Sequence, residues 1–553
     1  MTQTVSSSEA PEALSTPGSD PASAGQAPLQ TRVKRIGLAA VILSMGILCS
    51  RLLGYVREAV IAYQAGAGAD TDAYNAAFML PDLMNHFLAG GTLSITFIPL
   101  FAGYLAQNAP QKAERLFSLI ATTMGGLLVA AIVGCFAFAT PLAGLLFPGF
   151  DADQIAKTVE MTRIVLPGQF FHYLGGLMMA VLMARGQFLP SALAPLLYNL
   201  SIIVLGVVLG PYFGMKGFAI GALIGAALGP FLLPFVFLHK KLRYRPVWGF
   251  RDADFRKYLF LTLPLMLGVS LTTVDEWVGR FIGSTMEAGS ISWLNYARRL
   301  VLVPIAIVGQ AAGQAALPYL SQLSARGEYD VAADTLHRTL KNVILLSMVL
   351  VGFFVVLAEP MVAIVYERGA FTALDTEKTA QILRILSISI VFWTIQMVSV
   401  RAFYAAQNTL RPMVLTSVVT LASLPVYGAL SHFFGLPGLA VASCVGMAMQ
   451  ASVIVVFYRR FNAHFGVMPI VRALARGLCL GIVAALGAEA GLRVADVLQS
   501  VLGFGRLWQI LLQLSLGGLL GALCAGLLAR FIIPDEFRGF VRKVRRKVLR
   551  RKS

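Results

Sequence analysis

Charged residues are scarce in this chain of 553 residues. Only 13% of its residues are Asp, Glu, Lys or Arg, whereas 57% are hydrophobic, and the mean hydropathy is +0.74. Soluble globular domains carry about 25% charged residues. Runs of roughly 20 apolar residues, the length that crosses a bilayer as a helix, recur along nearly the whole chain after residue 35. The composition therefore excludes a soluble globular protein and predicts an all-α polytopic membrane protein.

Sequence motifs for catalysis are also missing. The chain shows no Walker A loop, no paired catalytic carboxylates, no metal-ligand spacing and no activated nucleophile. We therefore expect neither an enzyme nor an ATP-driven pump, and neither a metal nor a cofactor. The cysteines lie in apolar segments without ligand spacing, which is typical of small packing residues. They are Cys49, Cys135, Cys444, Cys479 and Cys524.

The two ends of the chain differ from the rest. Residues 1–31 are rich in Ser, Ala, Pro and Gly, which predicts a disordered cytoplasmic tail rather than a signal peptide. Residues 534–553 predict a basic cytoplasmic tail, with nine Lys or Arg from Phe537 to Ser553. We expect this tail to orient the protein and to bind anionic membrane lipids, with nucleic-acid or protein binding as the alternatives. Since the other basic residues follow membrane topology, we expect no nucleic-acid partner.

Fourteen apolar segments predict fourteen transmembrane helices. Basic residues follow the even-numbered segments, as at Lys240-Lys241 and Arg459-Arg460, whereas the loops after odd-numbered segments are poorer in them. By the positive-inside rule both termini are cytoplasmic, and we expect a multi-pass protein of the bacterial cytoplasmic (inner) membrane. The segments are 36–64, 72–105, 113–146, 154–186, 190–213, 215–239, 258–287, 290–325, 331–366, 376–407, 411–432, 437–459, 468–492 and 506–533.

Segments one to six are predicted to recur as segments seven to twelve. Two residue pairs align at a spacing of 219 and two at 222: Gly90 with Gly309, Pro99 with Pro318, Asp153 with Asp375, and Pro190 with Pro412. Six is an even number, so the two lobes share one orientation and a pseudo-twofold axis along the membrane normal, which favours a central site and alternating access. The predicted division is an N-lobe at 32–245, a C-lobe at 246–461 and two additional helices within 462–533.

Charged residues inside the apolar segments indicate a candidate site. A charge at the bilayer centre costs about 2.5 to 3.5 kcal/mol on insertion scales, so it should face a cavity or a partner. In the first segment Arg51, Gly54 and Glu58 share one helical face, and Arg57 is predicted to sit apart from it at the outer end.

The seventh and eighth segments add five more charged residues. Glu276 and Arg280 have the favourable order for an i, i+4 ion pair, and with Asp275 they are expected to form a network that limits the charge of the cavity. Arg298 and Arg299 follow in the eighth segment.

The residues named from these three segments comprise five arginines and three acids, which leaves a surplus of two positive charges if all face one cavity. That surplus suits a diphosphate, because the planar guanidinium grips phosphate oxygens through two hydrogen bonds. The alternatives are internal salt bridges and interfacial arginines whose heads reach water.

A series of short motifs also runs through the segments. In order, they are Ser50-Arg51-Leu52-Leu53-Gly54 with Arg57-Glu58, Thr71-Asp72-Ala73-Tyr74, Leu80-Pro81, Phe97-Ile98-Pro99, Ser292-Trp293 with Tyr296-Ala297-Arg298-Arg299-Leu300, Gly369-Ala370-Phe371 with Asp375, and Arg401-Ala402-Phe403-Tyr404-Ala405. The series resembles the MurJ (MviN) lipid II flippase family of the multidrug/oligosaccharidyl-lipid/polysaccharide exporter superfamily, over residues 35 to 533.

The resemblance implies a fourteen-helix fold whose cationic central cavity receives the lipid II headgroup. Helices thirteen and fourteen would form a groove for the polyprenyl tail. The resemblance maps the family's arginines onto Arg51, Arg57 and Arg299, and its first- and second-helix acids onto Glu58 and Asp72.

Some family positions differ in this chain. Asn85 and Gly90, which flank His86, stand where many relatives have an arginine and then a glutamate, and Leu302 stands where an acid is common. Segment 411–432 contains no Asn or Asp, which puts in doubt the sodium site proposed for some relatives. His86 is predicted to be a packing residue, with proton relay as the alternative.

The leading hypothesis is a flippase for lipid II, the undecaprenyl-diphosphate-linked sugar peptide of peptidoglycan synthesis, with cell-wall synthesis proteins as further partners. The alternatives are a flippase for another polyprenyl-diphosphate oligosaccharide, a drug exporter of the same superfamily, and a non-transporting membrane scaffold. The expected substrate-binding residues are Arg51, Arg57, Arg298 and Arg299, supported by Glu58, Asp72, Asp275, Glu276 and Arg280.

Overall fold

The computed structural model describes residues 29–89, 96–267, 271–503 and 505–534. Helices dominate these ranges, in which no β-strand occurs. Nine helical stretches in these ranges are long and apolar enough to cross a membrane, three of them made of consecutive shorter helices, or ten if the bent pair Ala373–Ser387 and Ser389–Ala405 is one span. The predicted all-α membrane fold is therefore confirmed, and the count of fourteen spans stays a prediction.

Helices follow all of the predicted segments, although many segments are broken into shorter pieces. The first half of the chain contains α1 (Leu29–Ala65), α2 (Ala69–Ala77), α3 (Met79–Met84), α4 (Ile98–Ala106), α5 (Pro110–Ala137), α6 (Ala139–Leu146), α7 (Ala152–Val165), α8 (Gly168–Ala184), α9 (Leu189–Phe213), α10 (Met215–Ala226) and α11 (Leu233–Leu238). π-Helical turns at Asn85–Ala89 and Ala227–Leu232 interrupt this half.

The second half repeats this pattern of long and broken helices. It contains α12 (Ala253–Leu267), α13 (Leu271–Gly283), α14 (Ser290–Pro304), α15 (Ala311–Ala325), α16 (Tyr329–Val356), α17 (Ala358–Tyr366), α18 (Ala373–Ser387), α19 (Ser389–Ala405), α20 (Leu410–Phe461), α21 (Met468–Leu502) and α22 (Arg506–Ile532). A further π-helical turn, Ile305–Gln310, joins α14 to α15.

Helix α1 begins at Leu29 and so includes the last three residues of the predicted N-terminal tail. Residues 1–28, Gly90 of the predicted repeat and the basic residues after Pro534 lie outside the described ranges. The predictions for both tails therefore stay untested.

Helix boundaries recur between the two halves at nearly constant offsets. The 28-residue helices α5 and α16 begin 219 residues apart, and the 17-residue helices α8 and α19 begin 221 residues apart. Gly214, with φ 56° and ψ −136°, and Gly435, with φ 61° and ψ −139°, break the helical path at the same offset of 221. Only glycine adopts such a positive φ freely. These matches support the predicted repeat of six segments.

Capping boxes give the register of the repeat more closely than the sequence alignment did. Asp151 caps α7 together with Gln154, and Thr372 caps α18 together with Asp375, again 221 residues apart. The structure thus pairs Asp375 with Gln154, so the alignment of Asp153 with Asp375 is displaced by one residue. Acids are favoured throughout the first turn of a helix, which makes neighbouring positions hard to distinguish by sequence.

Helices α21 and α22 lie outside this repeat and pack closely through small residues. A methyl group on Gly352 of α16 would collide with the carbonyl oxygen of Gly481 on α21. One on Gly491 of α21 would lie 2.5 Å from the carbonyl oxygen of Leu516 on α22. Glycines of this kind let membrane helices approach at backbone distance. The pair is thereby fixed to the second half, and its role as a lipid-tail groove stays a prediction.

Candidate functional site

A cavity of about 560 Å³ lies between the two halves of the chain. Its walls come from α1 and α9 on one side and from α13, α14, the turn Ile305–Gln310 and α19 on the other. Four predicted site arginines line this central cavity, together with one acid: Arg51, Arg57, Arg298, Arg299 and Glu276. The structure therefore brings the predicted cations of both halves to one place, and their contact with a substrate stays a prediction.

Arg57 lines the central cavity beside Arg51, so the prediction that it sits apart is wrong. Its long side chain bends toward α9, where Nη1 donates to Asn199 Oδ1 at 3.1 Å. Its Nη2 donates to Glu58 Oε1 at 2.6 Å, and Arg299 Nε lies 3.6 Å from the same oxygen. Glu58 is only 5% exposed. One buried carboxylate thus holds an arginine from each half.

Some N–H donors of these arginines have no acceptor among the described residues. Arg51 is exposed to the cavity and donates from Nη2 to Gln310 Oε1 at 2.9 Å, across the two halves, and it forms no ion pair with any described residue. The Nε atoms of Arg57 and Arg299 are buried, and neither finds an acceptor within the described ranges. Buried donors without acceptors are destabilising, so an anionic ligand would satisfy them.

Asp275 holds the fourth arginine against the second half. Its carboxylate accepts from Arg298 Nη2 at 2.6 Å, from the Tyr427 hydroxyl at 2.6 Å and from Ser443 Oγ. Asp275 is 6% exposed and Arg298 8%. Burial of the pair is tolerated because the remaining carboxylate oxygen is also hydrogen-bonded.

The expected Glu276–Arg280 ion pair does not form. Arg280 Nη1 instead lies 2.7 Å from Asp82 Oδ2 on α3, and Glu276 forms no ion pair with the residues described. An i, i+4 pair is worth only about 0.2 to 0.5 kcal/mol, so a carboxylate on a neighbouring helix can displace it. The predicted network of three residues is therefore wrong. It is replaced by separate pairs that reach two other helices.

These pairings lower the charge expected at the central cavity. With Arg280 neutralised by Asp82 elsewhere, four arginines remain against Glu276 and the contacting carboxylates Glu58 and Asp275. The surplus is one formal positive charge rather than the predicted two.

Asp72 lies away from the arginines and caps α14 from the other half of the chain. Its carboxylate accepts from the backbone N–H of Gly289 at 2.7 Å, from that of Ser292 at 2.8 Å and from Ser292 Oγ at 2.5 Å. The first N–H groups of a helix lack intrahelical acceptors and carry partial positive charge, which a carboxylate stabilises. Asn75 adds hydrogen bonds to Ser292 and Asn295. Polar contacts thus join the two halves at this end of the bundle.

Replacing Asp72 by Asn is expected to lower the free energy of unfolding by about 1.5 to 3 kcal/mol, because the amide loses the charge and turns an N–H₂ group toward N–H donors. Chemical denaturation of the purified protein measures this change. Asp70→Asn is the matched control, because Asp70 is exposed and its ion pair with Lys157 contributes at most about 1 kcal/mol. Equal losses in the two variants would contradict the capping role of Asp72.

Sequence reasoning missed the polar partners on other helices. Each is a polar or acidic residue inside an apolar segment, and such residues in lipid usually face a partner, so this signal was available. The missed residues are Asp82, Asn199, Gln310, Tyr427 and Ser443.

His86 packs edge-on against Trp277, with ring centroids 5.4 Å apart, which supports the packing interpretation. Asn85 and Asp82 line a separate small cavity with His172 and Tyr198.

The fold and the cationic cavity define a polytopic helical membrane protein, and solved structures of the MOP superfamily share this fold. The structure matches an inward-facing multidrug resistance MATE family transporter of that superfamily with a TM-score of 0.63 and 17% identity, over 77% of this chain and 98% of the other. It matches the lipid II flippase MurJ in its inward closed conformation with a TM-score of 0.72 and 21% identity, over 89% of this chain and all of the other.

The chain belongs to the lipid II flippase MurJ family, whose model matches residues 61–512, more than half of the sequence. Arg298 and Arg299 lie inside this range, whereas Arg51 and Arg57 precede it. A protein of Vibrio cholerae described as "Probable lipid II flippase MurJ" is 28% identical over 432 residues, 76% of this chain and 82% of its own length. One of Bdellovibrio bacteriovorus with the same description is 28% identical over 446 residues, 78% of this chain and 83% of its own length.

Proposed function

We propose that this protein flips lipid II from the cytoplasmic to the periplasmic leaflet of the bacterial inner membrane for peptidoglycan synthesis. The observation that carries the proposal is the set of four arginines around one cavity in a chain of the MurJ family. Guanidinium groups bind phosphate oxygens through charge-assisted, paired hydrogen bonds. A diphosphate would supply acceptors to the buried Nε atoms of Arg57 and Arg299.

Both halves of the chain supply arginines to the central cavity. Arg51 and Arg57 come from the first half and Arg298 and Arg299 from the second, so a bound headgroup would contact both halves at once. The contacts of Asp72 with α14 join the halves at one end and would separate when the cavity opens there. Such rocking of one half against the other is alternating access. The polyprenyl tail would stay in lipid, along α21 and α22.

The same proposal places both termini in the cytoplasm, on the distribution of basic residues. A reporter enzyme that is active only outside the cytoplasm, fused after Ser553, is therefore expected to be silent in intact cells. The same reporter inserted in the loop between α1 and α2, after Gly66, is expected to be active and serves as the control. Strong activity of the C-terminal fusion would overturn the even number of spans.

Depletion of the protein from growing cells tests the substrate. Lipid II is expected to accumulate on the cytoplasmic leaflet, where an externally added enzyme that cleaves lipid-linked diphosphates cannot reach it. When the wild-type protein is restored, lipid II is expected to reach the outer leaflet again. Accumulation of a different polyprenyl-diphosphate sugar would show that this lipid, and not lipid II, is the substrate.

A drug exporter and a scaffold are the remaining alternatives. The cavity carries a surplus of positive charge, which disfavours cationic drugs. A scaffold predicts that depletion leaves the distribution of lipid precursors unchanged and that the cavity arginines are dispensable. The expected partners outside the cavity are cell-wall synthesis proteins and the anionic lipids that the basic tail would bind.

A further inference from the structure

A second cationic cavity lies where α16 and α21 meet, away from the central cavity. Its volume is about 190 Å³. Two residues of α16 and four of α21 line it: Lys341, Leu345, Pro469, Arg472, Ala473 and Arg476. We name it the α16–α21 cavity. It lies between the repeated part of the fold and the first of the two additional helices.

The cations of the α16–α21 cavity stand where both helices turn apolar. After Lys341, α16 carries no further charged residue to its end at Val356. After Arg476, α21 carries none until Glu489. A long apolar run begins where a membrane helix enters the hydrocarbon core. The cavity therefore lies at the depth of the lipid headgroups.

The two arginines of this cavity have no side-chain acceptor among the described residues. Arg472 and Arg476 are spaced i, i+4 on α21, so they share one face and repel each other. Neither forms an ion pair or a side-chain hydrogen bond with a residue in the described parts of the chain, and both are exposed. Lys341 adds a third cation to the wall. A bound anion would stabilise the two neighbouring arginines.

We propose that the α16–α21 cavity binds the phosphate of an anionic glycerophospholipid. Basic pockets between membrane helices on the cytoplasmic side are suited to such headgroups, and the predicted topology places the starts of α16 and α21 on that side. The next turn of each helix offers apolar surface for the acyl chains, since Leu346 is 51% exposed and Leu478 53%. A free phosphate ion would leave this apolar surface unused.

The bound lipid bridges two parts of the fold. Lys341 and Leu345 belong to α16 in the second half of the repeat and the arginines belong to α21, so a lipid in the cavity contacts both helices. The proposal does not rest on the proposed flippase function, because neither Arg472 nor Arg476 lines the central cavity.

Native mass spectrometry of the purified full-length protein tests the proposal, with phosphatidylglycerol and phosphatidylcholine titrated separately. The wild-type protein is expected to bind phosphatidylglycerol at least tenfold more tightly. Each arginine near a lipid surface contributes about 1 kcal/mol, so Arg472→Gln/Arg476→Gln is expected to weaken that binding about 30-fold, and each single variant about fivefold. Unfolding curves of the variants should match the wild type, because both side chains are exposed.

The matched control is Arg243→Gln/Arg245→Gln, which removes two exposed arginines from the loop after α11. It is expected to change phosphatidylglycerol binding less than twofold. An equal loss of phosphatidylglycerol binding in this control would show that general surface charge causes the effect, and it would overturn the proposed lipid site. Equal binding of the two lipids by the wild type would overturn it as well. Displacement of phosphatidylglycerol by millimolar inorganic phosphate would make the ligand a free anion, contrary to the proposal.

Discussion

Lysine in place of Arg51 or Arg299 is expected to reduce lipid II flipping at least tenfold while the protein remains folded and correctly inserted. Both side chains line the central cavity, and they come from opposite halves. Lysine keeps the charge but offers a point donor on a flexible stem, so the paired hydrogen bonds to a diphosphate are lost. Losing one charge-assisted hydrogen bond costs about 1.5 to 3 kcal/mol, and 1.4 kcal/mol is a factor of ten.

Reconstituted vesicles that contain lipid II give the flipping rate, and immunoblots of membranes give the abundance of each variant. Arg326→Lys is the control, because Arg326 is exposed at the end of α15. This variant is expected to flip lipid II at the wild-type rate. A purely structural role predicts the opposite result, since lysine would preserve most of a salt bridge. Wild-type flipping by Arg299→Lys at normal abundance would show that Arg299 only pairs with Glu58. The same result at position 51 would leave Arg51 with its contact to Gln310 alone.

Asparagine in place of Asp275 is expected to lower the free energy of unfolding by about 3 to 5 kcal/mol. The substitution leaves the buried guanidinium of Arg298 without its carboxylate, and removing one partner of a buried ion pair is strongly destabilising. It also removes the charge that the hydroxyls of Tyr427 and Ser443 stabilise. Denaturant unfolding in detergent measures the loss.

Two variants decide whether this loss comes from the ion pair. Glu276→Gln alters the neighbouring residue, which lines the cavity and forms no ion pair with the described residues, so a change within about 0.5 kcal/mol is expected. Adding Arg298→Met to Asp275→Asn is expected to recover most of the stability, because no unpaired charge then stays buried. If Asp275→Asn is no more destabilising than Glu276→Gln, the carboxylate is not the anchor of Arg298.

The sequence predicts well where the helices lie and which of their charged residues need a cavity or a partner. Long apolar runs define the segments whatever they pack against, and a charge in such a run needs a cavity or a partner. Arg51 and Arg299 are two such charges, and both line the central cavity.

The partners of those charges could not be predicted in the same way. Asp275 meets Tyr427 and Ser443 across 152 and 168 residues of sequence, and Arg51 meets Gln310 across 259. Such pairs are set by how the helices pack, for which one sequence gives no signal. The local rule that was available, the i, i+4 spacing of Glu276 and Arg280, gave the wrong pair, because its energy is smaller than that of a contact between helices.

Glu58 touches arginines from both halves, so the empty central cavity carries its own counter-ion and keeps only one formal positive charge in excess. A bound diphosphate would bring more negative charge than this excess, and loading would reverse the sign of the cavity. The transmembrane potential acts on each elementary charge with about 2.3 kcal/mol per 100 mV. In a cell whose interior is negative, the loaded cavity would be driven outward and the empty one inward, so both halves of the transport cycle would run downhill in voltage.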